Sequence, residues 1–269
     1  MSLSVKALHI GDIMSDWSFS LFNFNPGRKT WGAINSFLIM GAEKPILVDS
    51  GIQLKNRELL MPFGMLLDIL PEQDLMKQLK ENGLKPEDIG YVIHTHLDID
   101  HTGYSNLFPN AKMVIQRKEI AFHAAAYMPG HCPDLPWFVS NMNRIEFIDG
   151  DIELFPGIKC VLTPAHTAGH QHIEVQTDIG KAILCGDTVY DIPMQLEDKV
   201  PGFMWPPGNC YNQGQMQVEL HKLKIELKRG SMILPAHTYE PFDRYRLGEK
   251  IGDKRVNYQG FASLDWPPK

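Results

Sequence analysis

The chain has 269 residues, and 26 lysines and arginines against 32 aspartates and glutamates give it a formal net charge of −6. A hydrophobic fraction of 43% with 22% charged residues is globular composition and excludes a disordered or fibrous protein. The acidic balance, without any lysine/arginine cluster, argues against nucleic acid as a partner, because such binding needs a basic footprint.

Cys132, Cys160, Cys185 and Cys210 are far apart and form no C-x-x-C pair, so reduced thiols are expected rather than a disulfide scaffold. A chain this long buries roughly 70–75% of its unfolded surface and needs no such staples. The N-terminus lacks a basic head followed by an apolar signal core. The most apolar stretch, Leu59 to Leu70, contains Pro62, Gly64 and Asp68 and falls short of the about 20 residues a bilayer requires. The expectation is a cytoplasmic protein with no membrane partner. No linker, repeat or low-complexity tract interrupts residues 1–269, which read as one domain.

In chain order, the first ninety residues read as strands with turns. Ser36–Met40 and Pro45–Asp49, split by Gly41–Lys44, predict a β-hairpin that ends in the polar turn Asp49-Ser50-Gly51. Residues 53–72 have no clean period and predict an irregular loop with a helical turn. Leu75 to Asn82 predicts a helix stopped by Gly83. Ile89–Ile93 predicts a short strand running into a histidine cluster. A strand follows at Ala111–Gln116, a helix at Lys118–Met128 and a loop at Pro129–Pro136. Short strands are expected at Arg144–Ile148, Ile152–Phe155 and Ile158–Thr163, and a hairpin at Ile173–Thr177 and Lys181–Cys185. Residues 192–212 read as a long loop, Gln215–Lys228 as a helix, and Ser231–Pro235 as a last strand before His237. Strands outnumber helices, which suggests two packed sheets with helices outside.

The stretch VIHTHLDIDHTG places His94, His96, Asp98, Asp100 and His101 within eight positions at a strand end. So many ligand-type side chains repel one another unless a cation compensates them. Imidazole nitrogen and carboxylate oxygen are the natural ligands of a divalent metal. Further candidates recur after later strands. TPAHTAGHQH carries His166, His170 and His172, ILCGDTVYD carries Asp187, and MILPAHTYE carries His237.

This ordered set resembles the metallo-β-lactamase superfamily, whose signature is H-x-H-x-D-H followed by a histidine, an aspartate and a histidine on separate loops. THLDIDHTG aligns with it at His96, Asp98, Asp100 and His101. ILVDSG resembles the family's L-V-D-T-G strand end. TPAHTAGH resembles T-P-G-H-[ST]-x-G-H, from which His170 is expected as the third-loop ligand. GDTVY puts Asp187 on the bridging carboxylate, and PAH puts His237 on the last ligand. The resemblance spans roughly residues 33–240.

It implies an α/β (α+β) fold, a four-layer αβ/βα sandwich. It also implies two divalent metal ions: His96, Asp98 and His170 on the first, Asp100, His101 and His237 on the second, and Asp187 between them. Zinc is the family's metal. Asp98 stands where the family has a second histidine, and its harder oxygen admits iron or manganese. A register shifted by two residues would use His94 and His96 as the histidine pair; the unshifted alignment needs no insertion and leaves His94 as a bystander.

The implied chemistry is hydrolysis by a hydroxide shared between the metals, with Asp100 passing its proton to the leaving oxygen. GDTVY and AHTAGHQH resemble the acyl-homoserine-lactone lactonases most. There Tyr190 would face the substrate carbonyl as an oxyanion donor, and the substrate would be a small lactone or ester. Other hydrolases of the fold, acting on thioesters, aryl esters or phosphodiesters, remain open, as does a redox-active diiron protein. Met61, Phe63, Met65, Trp137, Phe138, Phe203, Trp205 and Tyr211 are candidate pocket walls, although core is the better reading for most. Oligomeric state is not readable from the residues; relatives of the lactonase kind are often dimers, so the resemblance admits a homodimer.

Overall fold

The computed structural model describes residues 2–125, 135–199, 201 and 203–252. Seven strands form the first sheet: β1 (Ser4–Asp16), β2 (Lys29–Met40), β3 (Ile46–Val48), β4 (Leu66–Asp68), β5 (Tyr91–Ile93), β6 (Lys112–Gln116) and β7 (Ile145–Ile148), in the spatial order β4-β1-β2-β3-β5-β6-β7. The second holds β8 (Ile152–Phe155), β9 (Ile158–Leu162), β10 (Gln171–Thr177), β11 (Gly180–Gly186) and β12 (Met232–Pro235), in the order β12-β11-β10-β9-β8. Both sheets are mixed. β3, β5, β6 and β7 run parallel, as do β11 and β12, and the other pairs are antiparallel.

Strand alternation builds the layers. Ile46 and Val48 of β3 point into the space between the sheets, where they meet Ile173, Val175 and Leu184. Leu47 points the other way, toward Leu75 and Leu79 of helix α1 (Leu75–Glu81). On the second sheet, Ala182 and Leu184 face inward, while Ile183 and Ile233 pack on Met216, Leu220 and Leu223 of the long helix Gln213–Lys228. That is helix, sheet, sheet, helix, the four-layer sandwich expected. No described helix is long and apolar enough to cross a membrane.

The hairpin expected at 36–49 is present, with Phe37 opposite Val48 and Ile39 opposite Ile46. Other elements differ: β2 begins at Lys29, ahead of the expected Ser36, and the 53–72 stretch, expected as an irregular loop with a helical turn, contains strand β4. β1 is a 13-residue strand, buried over most of its length, whose polar residues His9, Asp12 and Ser15 hide its extent in the sequence. Residues 192–212 contain the helix Ile192–Leu196, started by Asp191, whose side chain accepts from Met194 N, and by Pro193 in the first turn. Helix α3 spans Arg117–Ala125; most of the loop expected at Pro129–Pro136 lies outside the described residues, and a helix starts at Leu135. Between α1 and α3 lies the short helix α2 (Ile99–Thr102), on the loop that leaves β5.

Candidate metal centre

The ligand-type residues sit where four strand ends converge. β5 ends at Ile93, and the chain runs through His96 and Asp98 into α2, which carries Asp100 and His101. β9 leads to the 163–170 loop, β11 ends beside Asp187, and β12 is followed by His237. All are buried except Asp100, whose side chain is 15% exposed and so opens the site to solvent.

Two groups of ligand atoms result. His96 Nε2 and His166 Nε2 each lie 3.4 Å from Asp98 Oδ2, and His166 Nε2 lies 3.6 Å from Asp187 Oδ2. His101 Nε2 and His237 Nε2 lie 3.2 and 3.3 Å from Asp187 Oδ1, and His237 Nε2 lies 3.4 Å from Asp100 Oδ2. Asp187 therefore turns one carboxylate oxygen to each group. Ligands about 2.0–2.1 Å from one tetrahedral cation lie about 3.4 Å from each other, which is the spacing found.

The tautomers agree with this use. His101 Nδ1 donates to Asp49 Oδ2 (2.8 Å), His166 Nδ1 to Asn209 O (2.8 Å) and His237 Nδ1 to Ala33 O (2.9 Å). Thr95 Oγ1 donates to Asp49 Oδ2 (2.8 Å) and so accepts from His96 Nδ1 at 3.0 Å. Each ring thus commits its Nδ1 to a hydrogen bond and presents its Nε2 to the site, as metal-binding histidines do. His96 Nε2, His101 Nε2 and Asp187 Oδ1 are buried without a hydrogen-bond partner, a costly state that a cation relieves.

The charges give the same answer. Asp98, Asp100 and Asp187 crowd together with buried Asp49 behind them. Two dications supply four positive charges against these four carboxylates. Without metal the histidines carry part of that load. Burial opposes a charge on His101, yet Asp187, Asp49 and Asp100 hold its pKa well above the usual imidazole value. Burial also pushes the carboxyl of Asp187 up, but His237 and His101 outweigh it and hold the group well below the carboxylate range.

Of the expected ligands, His170 and Asp98 both lie outside the two tightest sets of ligand atoms, His96–His166–Asp187 and Asp100–His101–His237. Asp98 still adjoins the first set, 3.4 Å from His96 and from His166, whereas His170 points its ring elsewhere. Its Nδ1 lies 2.8 Å from Thr163 Oγ1, and its Nε2 accepts the Asp187 backbone N–H at 3.3 Å, so both ring nitrogens are engaged. Burial, followed by His96, His172 and His166 nearby, pushes its pKa well below the usual value. His166, four residues earlier, faces the site instead. Asp98 Oδ2 faces His96 and His166, whereas His94 Nε2 meets Ser105 Oγ at 3.1 Å, so the geometry favours the unshifted alignment. His172 Nε2 meets Thr188 Oγ1 at 2.8 Å.

A cavity of about 340 Å³ opens over the centre. Asp98, Asp100, Asp187, Tyr190 and His237 line its floor. The Tyr190 ring stacks on His237, with centroids 5.5 Å apart and planes at 9°, and its hydroxyl donates to Asp187 Oδ2 at 2.5 Å. Burial and the neighbouring Asp187 carboxylate raise the phenol pKa well above 10, so Tyr190 remains a proton-bearing donor.

Trp17, Phe19, Trp31, Leu60 and Met65 supply apolar wall, with Arg28 and Lys29 beside them. Of the wall residues expected from sequence, Met65 is in place. Phe138 is core, Met61, Phe203 and Tyr211 are exposed elsewhere, Phe63 and Trp205 pack at the edge of apolar clusters, and the side chain of Trp137 lies outside the described residues. The wall comes largely from residues 17–31, held in place by Gly208 N to Phe19 O (2.9 Å) and Phe22 N to Pro206 O (2.8 Å). Its signal in the sequence was the aromatic-basic run DWSFS…GRKTW.

Comparison with known proteins identifies the family. An N-acyl homoserine lactonase of Bacillus cereus is 33% identical over 210 residues, covering 74% of this chain and 82% of its own. The lactonase AiiA of Bacillus thuringiensis subsp. kurstaki is 32% identical over 212 residues, with the same coverage of 74% and 82%. A solved N-acyl homoserine lactone hydrolase, with the product N-hexanoyl-L-homoserine at its catalytic metal centre, superposes with a TM-score of 0.73 at 27% identity over 89% of this chain and 95% of that one. Residues 30–237 match the Metallo-beta-lactamase superfamily domain. Carrying that match over most of its length, with the ligand-type residues gathered at one end of the sandwich, the chain belongs to the metallo-beta-lactamase superfamily.

Proposed function

We propose that the protein is a dinuclear metal-dependent hydrolase that opens a lactone ring, with N-acyl homoserine lactones as the first candidate substrates and quorum quenching as the biological consequence. The observation that carries this reading is the pair of ligand groups joined by Asp187 under a cavity of about 340 Å³. That volume suits a small molecule rather than a polymer. In this reading His96, Asp98 and His166 hold the first metal, Asp100, His101 and His237 hold the second, and Asp187 bridges. Each site then has two imidazoles with carboxylate oxygens, a donor set that takes zinc and also iron or manganese.

When bound, the two cations polarise the ester carbonyl and activate water at neutral pH. The chain's own groups do the rest. The phenol of Tyr190, on the cavity floor, would turn its single proton from Asp187 Oδ2 to the oxygen on which negative charge develops. Asp100, the partly exposed carboxylate, takes the proton from the attacking water and gives it to the leaving ring oxygen. Trp17, Phe19, Trp31 and Met65 cover the acyl portion and keep bulk water from the carbonyl.

The experiment is elemental analysis of the purified protein with ring-opening assays on a panel of lactones. Two metals per chain with lactone turnover are expected. Two metals without turnover would redirect the assignment to esters, thioesters or phosphodiesters. No metal after reconstitution with zinc, iron or manganese would overturn it.

A further inference from the structure

Glu119, on the first turn of α3, is a buried carboxylate that the hydrolytic reading leaves unused. Its Oε1 accepts from Leu97 N at 3.0 Å and lies 3.0 Å from His123 Nε2. Its Oε2 accepts from Thr167 Oγ1 at 2.7 Å and from Gly169 N at 2.9 Å. Leu97 separates His96 from Asp98, and Thr167 follows His166. One carboxylate therefore clamps the two loops that carry the chain's ligands to the first site. The approach is close, since a Cβ on Gly169 would lie 2.3 Å from Glu119 N, and only glycine fits there.

His123 supports the clamp through its 3.0 Å contact with Glu119 Oε1. Its Nε2 also approaches Asp98 Oδ1 to 3.9 Å, longer than a hydrogen bond, on the side away from the Oδ2 that His96 and His166 face. Asp98 is shorter than the histidine usual at its position and must be brought to the metal by its surroundings. The second site has its own buried support in Asp49, which takes His101 Nδ1 and Thr95 N, each at 2.8 Å. Among the described hydrogen bonds, none runs from Glu119 to the Asp100–His101 turn or to His237.

We propose that Glu119 and His123 are positioning residues for the first metal site alone, holding Asp98 and the two histidine loops at ligand spacing. The inference rests on the two-site reading above. Partners of this kind typically change metal affinity by 10- to 100-fold. The test uses Glu119→Gln, which keeps the shape but replaces an acceptor oxygen, and His123→Ala, each measured by zinc titration against a chromophoric chelator. In a His101→Ala chain, where the first site alone keeps all its histidines, either change should weaken zinc binding by about 10- to 100-fold. In a His166→Ala chain, where the second site alone does, neither should shift it by more than about twofold, well below that range.

A purely architectural role would weaken both backgrounds alike or neither, and either result overturns the proposal. Wild-type protein that binds no zinc, iron or manganese would instead overturn the two-site reading itself.

Discussion

Replacing His166 by alanine separates the two histidines of the 163–170 loop. His166 Nε2 faces Asp98 and Asp187 at 3.4 and 3.6 Å, while both ring nitrogens of His170 are engaged by Thr163 and the Asp187 backbone. A closed four-ligand metal site is worth about 10–16 kcal/mol, so one ligand of four carries about 2.5–4 kcal/mol. At about 1.4 kcal/mol per decade, that is roughly a 10²- to 10³-fold loss of affinity for the first metal. His166→Ala should therefore leave one metal per chain after dialysis against a weak chelator, with the fold intact by circular dichroism.

His170→Ala should do the reverse. It leaves the Asp187 amide without its buried acceptor, at a cost of about 1–3 kcal/mol, plus a cavity term for the lost ring. The melting temperature should fall by several degrees while both metals stay bound. Elemental analysis and thermal melts on the two variants decide the matter. Two metals retained in His166→Ala and one in His170→Ala would refute the reasoning and return the ligand role to His170.

Other outcomes are equally specific. Asp98→Ala should remove or strongly weaken the first metal, whereas His94→Ala should leave metal content unchanged; the opposite pattern would revive the shifted register. Asp98→His should raise the zinc-to-iron ratio of protein grown with both metals, since it exchanges a hard oxygen for an imidazole, and an unchanged ratio would remove Asp98 as a determinant of metal choice. Tyr190→Phe should lower kcat by about 10²-fold with both metals retained, in line with loss of one oxyanion donor, and an unchanged kcat would strip Tyr190 of that role.

Burial raises the Asp191 carboxyl from 3.8 to about 6, so the folded state binds its proton more tightly than the unfolded state does. Stability from this group is therefore present below about pH 4 and is lost as pH rises toward 6, by up to about 3 kcal/mol. Asp191→Asn keeps the helix cap and should melt higher than wild type above pH 6, with the difference vanishing near pH 4; a pH-independent difference would contradict the burial argument.

Much of this protein is legible without coordinates, for a local reason. Strand alternation and turn chemistry are short-range, so the helix from Leu75 and the β10–β11 hairpin could be placed within a residue or two, and the 36–49 hairpin at its turn, although β2 begins at Lys29, seven residues before the expected strand. His96, Asp98, Asp100 and His101 are likewise legible because they are packed within six positions of one chain segment. Asp187 and His237 follow from their place after apolar strands. β1 and the helix Ile192–Leu196 were not legible in the same way. Buried polar residues break the strand's apolar pattern, and the short helix lies in a stretch where proline, tryptophan and glycine suggest a loop.

What tertiary structure alone decides is which nitrogen faces the centre. His166 and His170 share a loop, a residue type and a motif, and spacing cannot separate them. The choice is made by partners distant in sequence: Asn209 holds the Nδ1 of His166, while the Asp187 amide occupies the Nε2 of His170. The supporting carboxylates Asp49 and Glu119, and the cavity wall from residues 17–31, are decided in the same way. A side chain's chemical type is written in the chain, but its orientation and its neighbours exist only after distant segments pack and the buried hydrogen-bonding groups find partners.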